Sequence, residues 1–259
     1  MSKLTALVLF LVVNAITLPT QLLADQAIHH AGSFRIAGGT IAENGAYPFM
    51  VSLRKHPIGH FCGGSIVNNL WVLTAAHCLS KQNVSRLIAV VGTNMLDSGG
   101  IAVRVESVVM HPYFNETGIR PDDIALIRLA SPLRYSSTVA AVTLDLKGSQ
   151  SIDVTLIGWG STKRRGPALN RLQQYSTQII RQAVCTRQYS HITEKQFCTK
   201  LKRGSGSCDG DSGGPLIDSD TKVQVGIATF SALHGCGIAP DVYTRVSSYI
   251  PWILATANP

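Results

Sequence analysis

Short runs of β-branched and apolar residues, each bounded by turn-forming residues, recur along the chain: Trp71–Ala75, Ile124–Leu129, Val154–Trp159 and Val223–Phe230. Ile101 to Val105 alternates apolar positions with Ala102 and Arg104, the period of a half-buried strand. This pattern predicts an all-β protein. The end of the chain departs from it, because Val246, Tyr249, Ile250, Ile253 and Leu254 recur at helical spacing after Ser247 and Ser248. Pro251 is tolerated there only in a first turn, so a C-terminal helix packed on the strands is expected. At the other end, Leu4–Val13 is a ten-residue apolar run after Lys3. Such a run is too short to span a bilayer but suits the core of a secretory signal. Residues 1–24 are therefore assigned to a signal peptide cleaved after Ala24. No later run reaches membrane-spanning length, so the mature chain is expected to be secreted, extracellular and without a membrane partner.

Composition adds two constraints. The 259 residues are 45% hydrophobic and 15% charged, enough for a sizeable core in one large or two small domains. In a secreted chain the six cysteines imply three disulfides, and without any Cys-x-x-Cys pair a zinc site is not expected. The formal charge of +8 raises the question of an anionic partner, with clusters at Lys163-Arg164-Arg165 and at Lys200, Lys202 and Arg203. Neither cluster is interleaved with aromatic residues, so they are assigned to solvated loops and no nucleic-acid partner is expected. His56, His60, His111, His191 and His234 form no recognisable ligand set and are assigned to the surface. Asn83-Val84-Ser85 and Asn115-Glu116-Thr117 are sequons open to glycosylation.

The chemistry concentrates in Gly206-Ser207-Cys208-Asp209-Gly210-Asp211-Ser212-Gly213-Gly214-Pro215. Glycines let backbone N–H groups turn toward a hydroxyl, and inward N–H groups are what an acyl-transfer oxyanion requires. Ser212 is thus the candidate nucleophile. A serine needs a base and an acid that orients the base. Candidates are His77, in Leu73-Thr74-Ala75-Ala76-His77-Cys78, and the acids Asp122-Asp123 ahead of Ile124-Ala125-Leu126. Together with Ile36-Ala37-Gly38-Gly39, these motifs make residues 36–255 resemble the chymotrypsin/trypsin family of serine endopeptidases, for which the general triad mechanism was worked out.

That resemblance implies two packed six-stranded antiparallel β-barrels and the C-terminal helix, divided as 36–140 and 141–259, with a cleft between them. It implies His77, Asp123 and Ser212 as the catalytic triad, with Asp123 preferred over Asp122 because it directly precedes Ile-Ala-Leu. Backbone N–H groups of Gly210 and Ser212 would form the oxyanion hole. Disulfides Cys62–Cys78, Cys185–Cys198 and Cys208–Cys236 are implied. So is a zymogen: residues 25–35 are a propeptide, cleavage after Arg35 frees the ammonium of Ile36, and that group pairs with Asp211. The propeptide holds no cysteine and would not stay tethered, and a stand-alone monomer is expected.

Gly206, Ser231 and Asp241 are implied as substrate-binding residues. A carboxylate at 206 would mark trypsin-type preference, but here the acid stands across the pocket at Asp241. The pair resembles brachyurin-type collagenolytic and insect chymotrypsin-like proteases, so cleavage is expected to be broad or chymotrypsin-like. Thr229 stands where the family usually has a serine that bonds the catalytic aspartate. Phe230 stands where a cleft-wall tryptophan is usual. Protein or peptide substrates, an activating protease and protein protease inhibitors are the expected partners. No cofactor is expected, and no calcium, because Asp97 is the one acid between Leu87 and Val103. The alternatives of another class are a catalytically silent homologue and an anion-binding effector.

Overall fold

A computed structural model of the chain describes residues 38–230 and 236–257. Residues 1–24 and 25–35, expected to be a signal peptide and a propeptide ending at Arg35, lie outside those residues, as do Ile36, Ser231 and His234. Thirteen strands and three α-helices follow in chain order: β1 (Thr40–Ile41), β2 (Met50–Lys55), β3 (Gly59–Ile66), β4 (Trp71–Thr74), α1 (Ala76–Leu79), β5 (Leu87–Val91), β6 (Ile101–Met110), β7 (Ala125–Leu129), β8 (Asp153–Gly158), β9 (Gln173–Gln178), α2 (Gln182–Gln188), β10 (Gln196–Cys198), β11 (Pro215–Asp218), β12 (Gln224–Phe230), β13 (Val242–Arg245) and α3 (Ile250–Ala257).

Six strands close into a barrel in the order β2-β3-β4-β7-β6-β5. Seven others form an antiparallel sheet in the order β1-β9-β8-β11-β12-β13-β10. The second unit thus has one strand more than expected. The addition is β1, from the start of the described chain, which pairs Thr40 with Gln174 and Ile41 with Gln173 at the sheet edge.

The two ends of the described residues change sides. Whereas β1 joins the sheet of the later strands, Val246, Tyr249, Ile250, Ile253 and Ala257 share one core with the six-stranded barrel, among them Leu73 and Ile127. Asn68 Nδ2 donates to the Ala257 carbonyl at 2.9 Å and fixes the end of α3 there. Pro251 occupies the first turn of α3, where no intrahelical donor is needed. Leu254, assigned by its spacing to the packed face, is instead 52% exposed. In β6 the alternation buries Val103 and Val105, but Ile101 at the strand's end is exposed.

All three disulfides of the sequence reading are formed: Cys62–Cys78, Cys185–Cys198 and Cys208–Cys236. The first ties β3 to α1, the short helix that carries His77. The third ties the loop before Ser212 to the segment opposite. Among the described residues no helix is long and apolar enough to cross a membrane.

Candidate active site

A cleft of about 630 Å³ is lined by His77 and Ser212, by Phe61, Cys62 and Cys78 from the barrel side, and by Ser207, Cys208, Gly210, Ala228, Thr229, Phe230 and Cys236 from the sheet side. Backbone bonding aligns the two halves. Gly63 N, in β3, donates to the Ser212 carbonyl at 2.8 Å, and Gly213 N donates to the Ala228 carbonyl of β12 at 2.8 Å. The residue after the serine cannot carry a side chain: Gly213 has φ +76°, and a Cβ there would lie 2.2 Å from Thr74 Oγ1.

His77 sits in α1 directly after β4. Its Nδ1 lies 2.7 Å from Asp123 Oδ2, and its backbone N–H donates to Asp123 Oδ1 at 2.8 Å. Both carboxylate oxygens of this wholly buried acid are therefore turned to His77. Asp122 faces elsewhere, accepting from Lys195 Nζ at 2.8 Å and from the Tyr249 hydroxyl at 3.0 Å. The adjacent acids thus belong to separate networks. With Nδ1 on the carboxylate side, Nε2 of His77 lies 3.8 Å from Cys78 Sγ and makes no hydrogen bond to the Ser212 hydroxyl among the described residues. Cys62, His77 and Cys78 also lie close enough to resemble a metal cluster, but both sulfurs are joined in the disulfide and no thiolate is available to bind one.

Thr229 is arranged differently from the sequence reading. Its hydroxyl lies 2.9 Å from Thr244 Oγ1 and does not reach the Asp123 carboxylate; Thr244 Oγ1 itself donates to the Asp123 backbone carbonyl at 2.9 Å. The register of β12 and β13 shifts between Ala228 and Phe230, and this irregularity turns Thr229 toward β13. Phe230 packs edge-on against Tyr189, with ring centroids 5.4 Å apart, and keeps the cleft wall apolar.

Two buried carboxylates hold consecutive N–H groups of the loop ahead of Ser212. Asp211, fully buried, accepts from Cys208 N at 2.9 Å through Oδ2 and from Gly160 N at 2.8 Å through Oδ1. Asp241, 5% exposed, accepts from Ser207 N at 2.7 Å through Oδ2. Burial pushes the Asp211 carboxyl up to about 7, against the pull of the Cys208 and Gly160 N–H groups. Burial likewise raises Asp241 to about 7, against its bonds to Ser207. Gly206 and Asp241 meet each other: Gly206 has φ +135°, and a Cβ there would sit 2.4 Å from Asp241 Oδ2. The Asp241 carboxylate fills the place a side chain at 206 would take.

Sequence reasoning missed His60. Far from being an ordinary surface residue, it is half-buried and bonded at both ring nitrogens: Nε2 lies 3.0 Å from the Gly210 carbonyl and Nδ1 lies 2.9 Å from Ser52 Oγ. Desolvation lowers its pKa to about 4, with the Gly210 bond opposing and the charge of Arg54 assisting. Its place two residues before Cys62 was the one signal available. His111 is also half-buried, edge-on to Tyr249 and Trp252 at 5.2 Å each, whereas His56 and His191 are exposed as expected.

A strand-built cleft lined by a serine and a histidine, with a buried aspartate bonded behind the histidine, carries the side chains that a hydrolase of the serine-nucleophile class needs. The trypsin family model matches residues 36–253, and the chain belongs to that family. It is 38% identical to chymotrypsin-2 of Vespa crabro over 84% of this chain and 98% of that protein. It is 35% identical to trypsin Blo t 3 of Blomia tropicalis over 86% of each. It is 33% identical to human chymotrypsin-like elastase family member 1 over 85% of this chain and 91% of that one. The chain is accordingly a serine endopeptidase acting on protein substrates.

Proposed function

We propose that the chain is a secreted, zymogen-derived endopeptidase working through His77, Asp123 and Ser212. The observation that carries this reading is the pairing of His77 Nδ1 with fully buried Asp123, on a histidine that lines the same cleft as Ser212. A serine hydroxyl is a weak nucleophile near neutrality, so His77 Nε2 takes its proton as Oγ bonds to the scissile carbonyl carbon. The carbonyl oxygen becomes an anion and accepts from the N–H groups of Gly210 and Ser212, each donor of this kind being worth about 3 kcal/mol in the transition state. As the carbon–nitrogen bond breaks, His77 returns the proton to the leaving amine. Water then repeats the sequence on the acyl-enzyme. Asp123 holds the imidazole tautomer and offsets its transient charge.

Cleavage after Arg35 would supply the ammonium of Ile36 to Asp211. The absence of any cation beside this buried carboxylate among the described residues is what supports that role, since an unpaired buried charge is costly. An activating protease and protein inhibitors would be the macromolecular partners besides substrate. Gly206 and Asp241, with Ser231, would shape a pocket of mixed preference that admits Leu, Phe or Tyr and pairs with Lys or Arg. Ser212→Ala should fold yet lose covalent labelling by a serine-directed phosphonate. Persistent labelling of the variant would remove Ser212 from the mechanism.

A further inference from the structure

The carboxylate of Asp241 is incompletely satisfied. Oδ2 accepts from Ser207 N, while Oδ1 is buried and has no hydrogen-bond partner among the described residues. The hydroxyl of Tyr243, on neighbouring β13, is likewise buried without a hydrogen-bond partner among the described residues. The titratable groups that feel the Asp241 carboxylate among the described residues are Asp211 on the Ser212 loop and three phenols, Tyr175 from β9, Tyr189 at the end of α2 and Tyr243 from β13. None is a cation. Burial raises all three phenols, Tyr189 to about 12, so they stay neutral at physiological pH and Asp211 is the one other source of charge.

A buried acid in this setting has two ways to be satisfied: it keeps a proton, or it receives a cation. We infer that a single proton on Asp241 gates primary specificity, the enzyme favouring apolar residues on the acyl side of the scissile bond while the acid is neutral and admitting Lys and Arg as it ionises. The inference rests on the reading of Asp241 as a pocket residue and adds its regulation. Burial sets the transition at about 7. Since kcat/KM reports the free enzyme, preference for a basic residue tracks the ionised fraction, which falls about tenfold per pH unit below that value. An apolar side chain gains from the neutral wall in the same interval.

The test uses the processed enzyme and four peptides identical except for Lys, Arg, Leu or Phe before the scissile bond. Measured from pH 5.5 to 8.5, the ratio of kcat/KM for basic over apolar peptides cancels every ionisation that affects all four substrates equally. The ratio should rise by about tenfold per unit toward pH 7 and then level off. Asp241→Asn should give a low, pH-independent ratio with apolar cleavage retained, and Asp241→Ser serves if the first variant fails to fold. His234→Ala should keep the wild-type slope. A flat wild-type ratio with basic cleavage present overturns the proton gate, while the Asp241 reading survives if Asp241→Asn loses basic cleavage. Absence of basic cleavage at every pH overturns both. A slope that persists in the Asp241 variants, or vanishes in His234→Ala, assigns the proton to another group and overturns the gate.

Discussion

His60 illustrates how one side chain can serve a site it does not enter. The Gly210 carbonyl only accepts, so His60 Nε2 carries the hydrogen of that 3.0 Å bond, and Nδ1 accepts from the Ser52 hydroxyl at 2.9 Å. A neutral imidazole satisfies both partners, in keeping with a pKa lowered to about 4. The peptide it holds belongs to Gly210, whose N–H is a proposed oxyanion donor. His60→Phe keeps an aromatic ring but leaves that carbonyl without its donor. The variant is expected to lose about 1–3 kcal/mol of stability, the usual cost of an unsatisfied buried acceptor. If the bond positions the oxyanion donor, kcat falls while KM changes little, because the interaction matters most when charge has developed. Active-site titration with steady-state kinetics separates the two effects. An unchanged kcat per active site would leave His60 a stabilising residue alone.

At the scale of elements, packing decides what local sequence does not. An eight-residue helix such as α3 is marginal by itself, so its existence rests on Ile250, Ile253 and Ala257 entering the six-stranded barrel's core. Ile253→Ala, at a position 1% exposed, should cost about 2–4 kcal/mol, whereas Leu254→Ala, at 52% exposure, should stay within about 0.5 kcal/mol. Urea unfolding in a Ser212→Ala background, which prevents self-digestion, measures both; equal effects would contradict the observed face. Helical spacing alone suggested that both positions pack. The strands β4, β7, β8 and β12 were legible because their apolar runs are buried on both sides. By contrast β9, Gln-Gln-Tyr-Ser-Thr-Gln, carries little apolar signal and is a strand because β8 and β1 pair with its two edges. The helix α2 was equally silent in sequence, its one buried residue being Cys185, bonded to Cys198. The triad candidates were readable from motif alone. The partners of Thr229 and the bonds of His60 were not, since both depend on segments distant in sequence.

For the molecule as a whole, the two buried carboxylates beside the Ser212 loop make stability and the proposed activation parts of one electrostatic problem. Asp211 and Asp241 are both raised from 3.8 to about 7 by burial, so the folded proprotein binds their protons more tightly than the unfolded chain does. Their stabilising contribution is complete below 3.8 and is lost as pH rises through 7, at about 1.4 kcal/mol per pH unit for each group. His60, lowered from 6.5 to about 4, acts in the opposite sense: its contribution is complete above 6.5 and is lost as pH falls to 4. Between pH 4 and 6.5 two groups oppose one, so these sites together should cost the proprotein about 1.4 kcal/mol per unit of rising pH. An uncleaved Arg35→Gln, Ser212→Ala proprotein isolates the effect. Its urea-unfolding free energy should change with pH more negatively, by about 1.4 kcal/mol per unit, than that of the same protein carrying Asp211→Asn. Processed Ser212→Ala, with the Ile36 ammonium available to Asp211, should regain stability over the proprotein near pH 7. A slope unaltered by Asp211→Asn would show that Asp211 does not hold its proton in the proprotein, and equal stability before and after processing would remove the proposed ion pair from the activation mechanism.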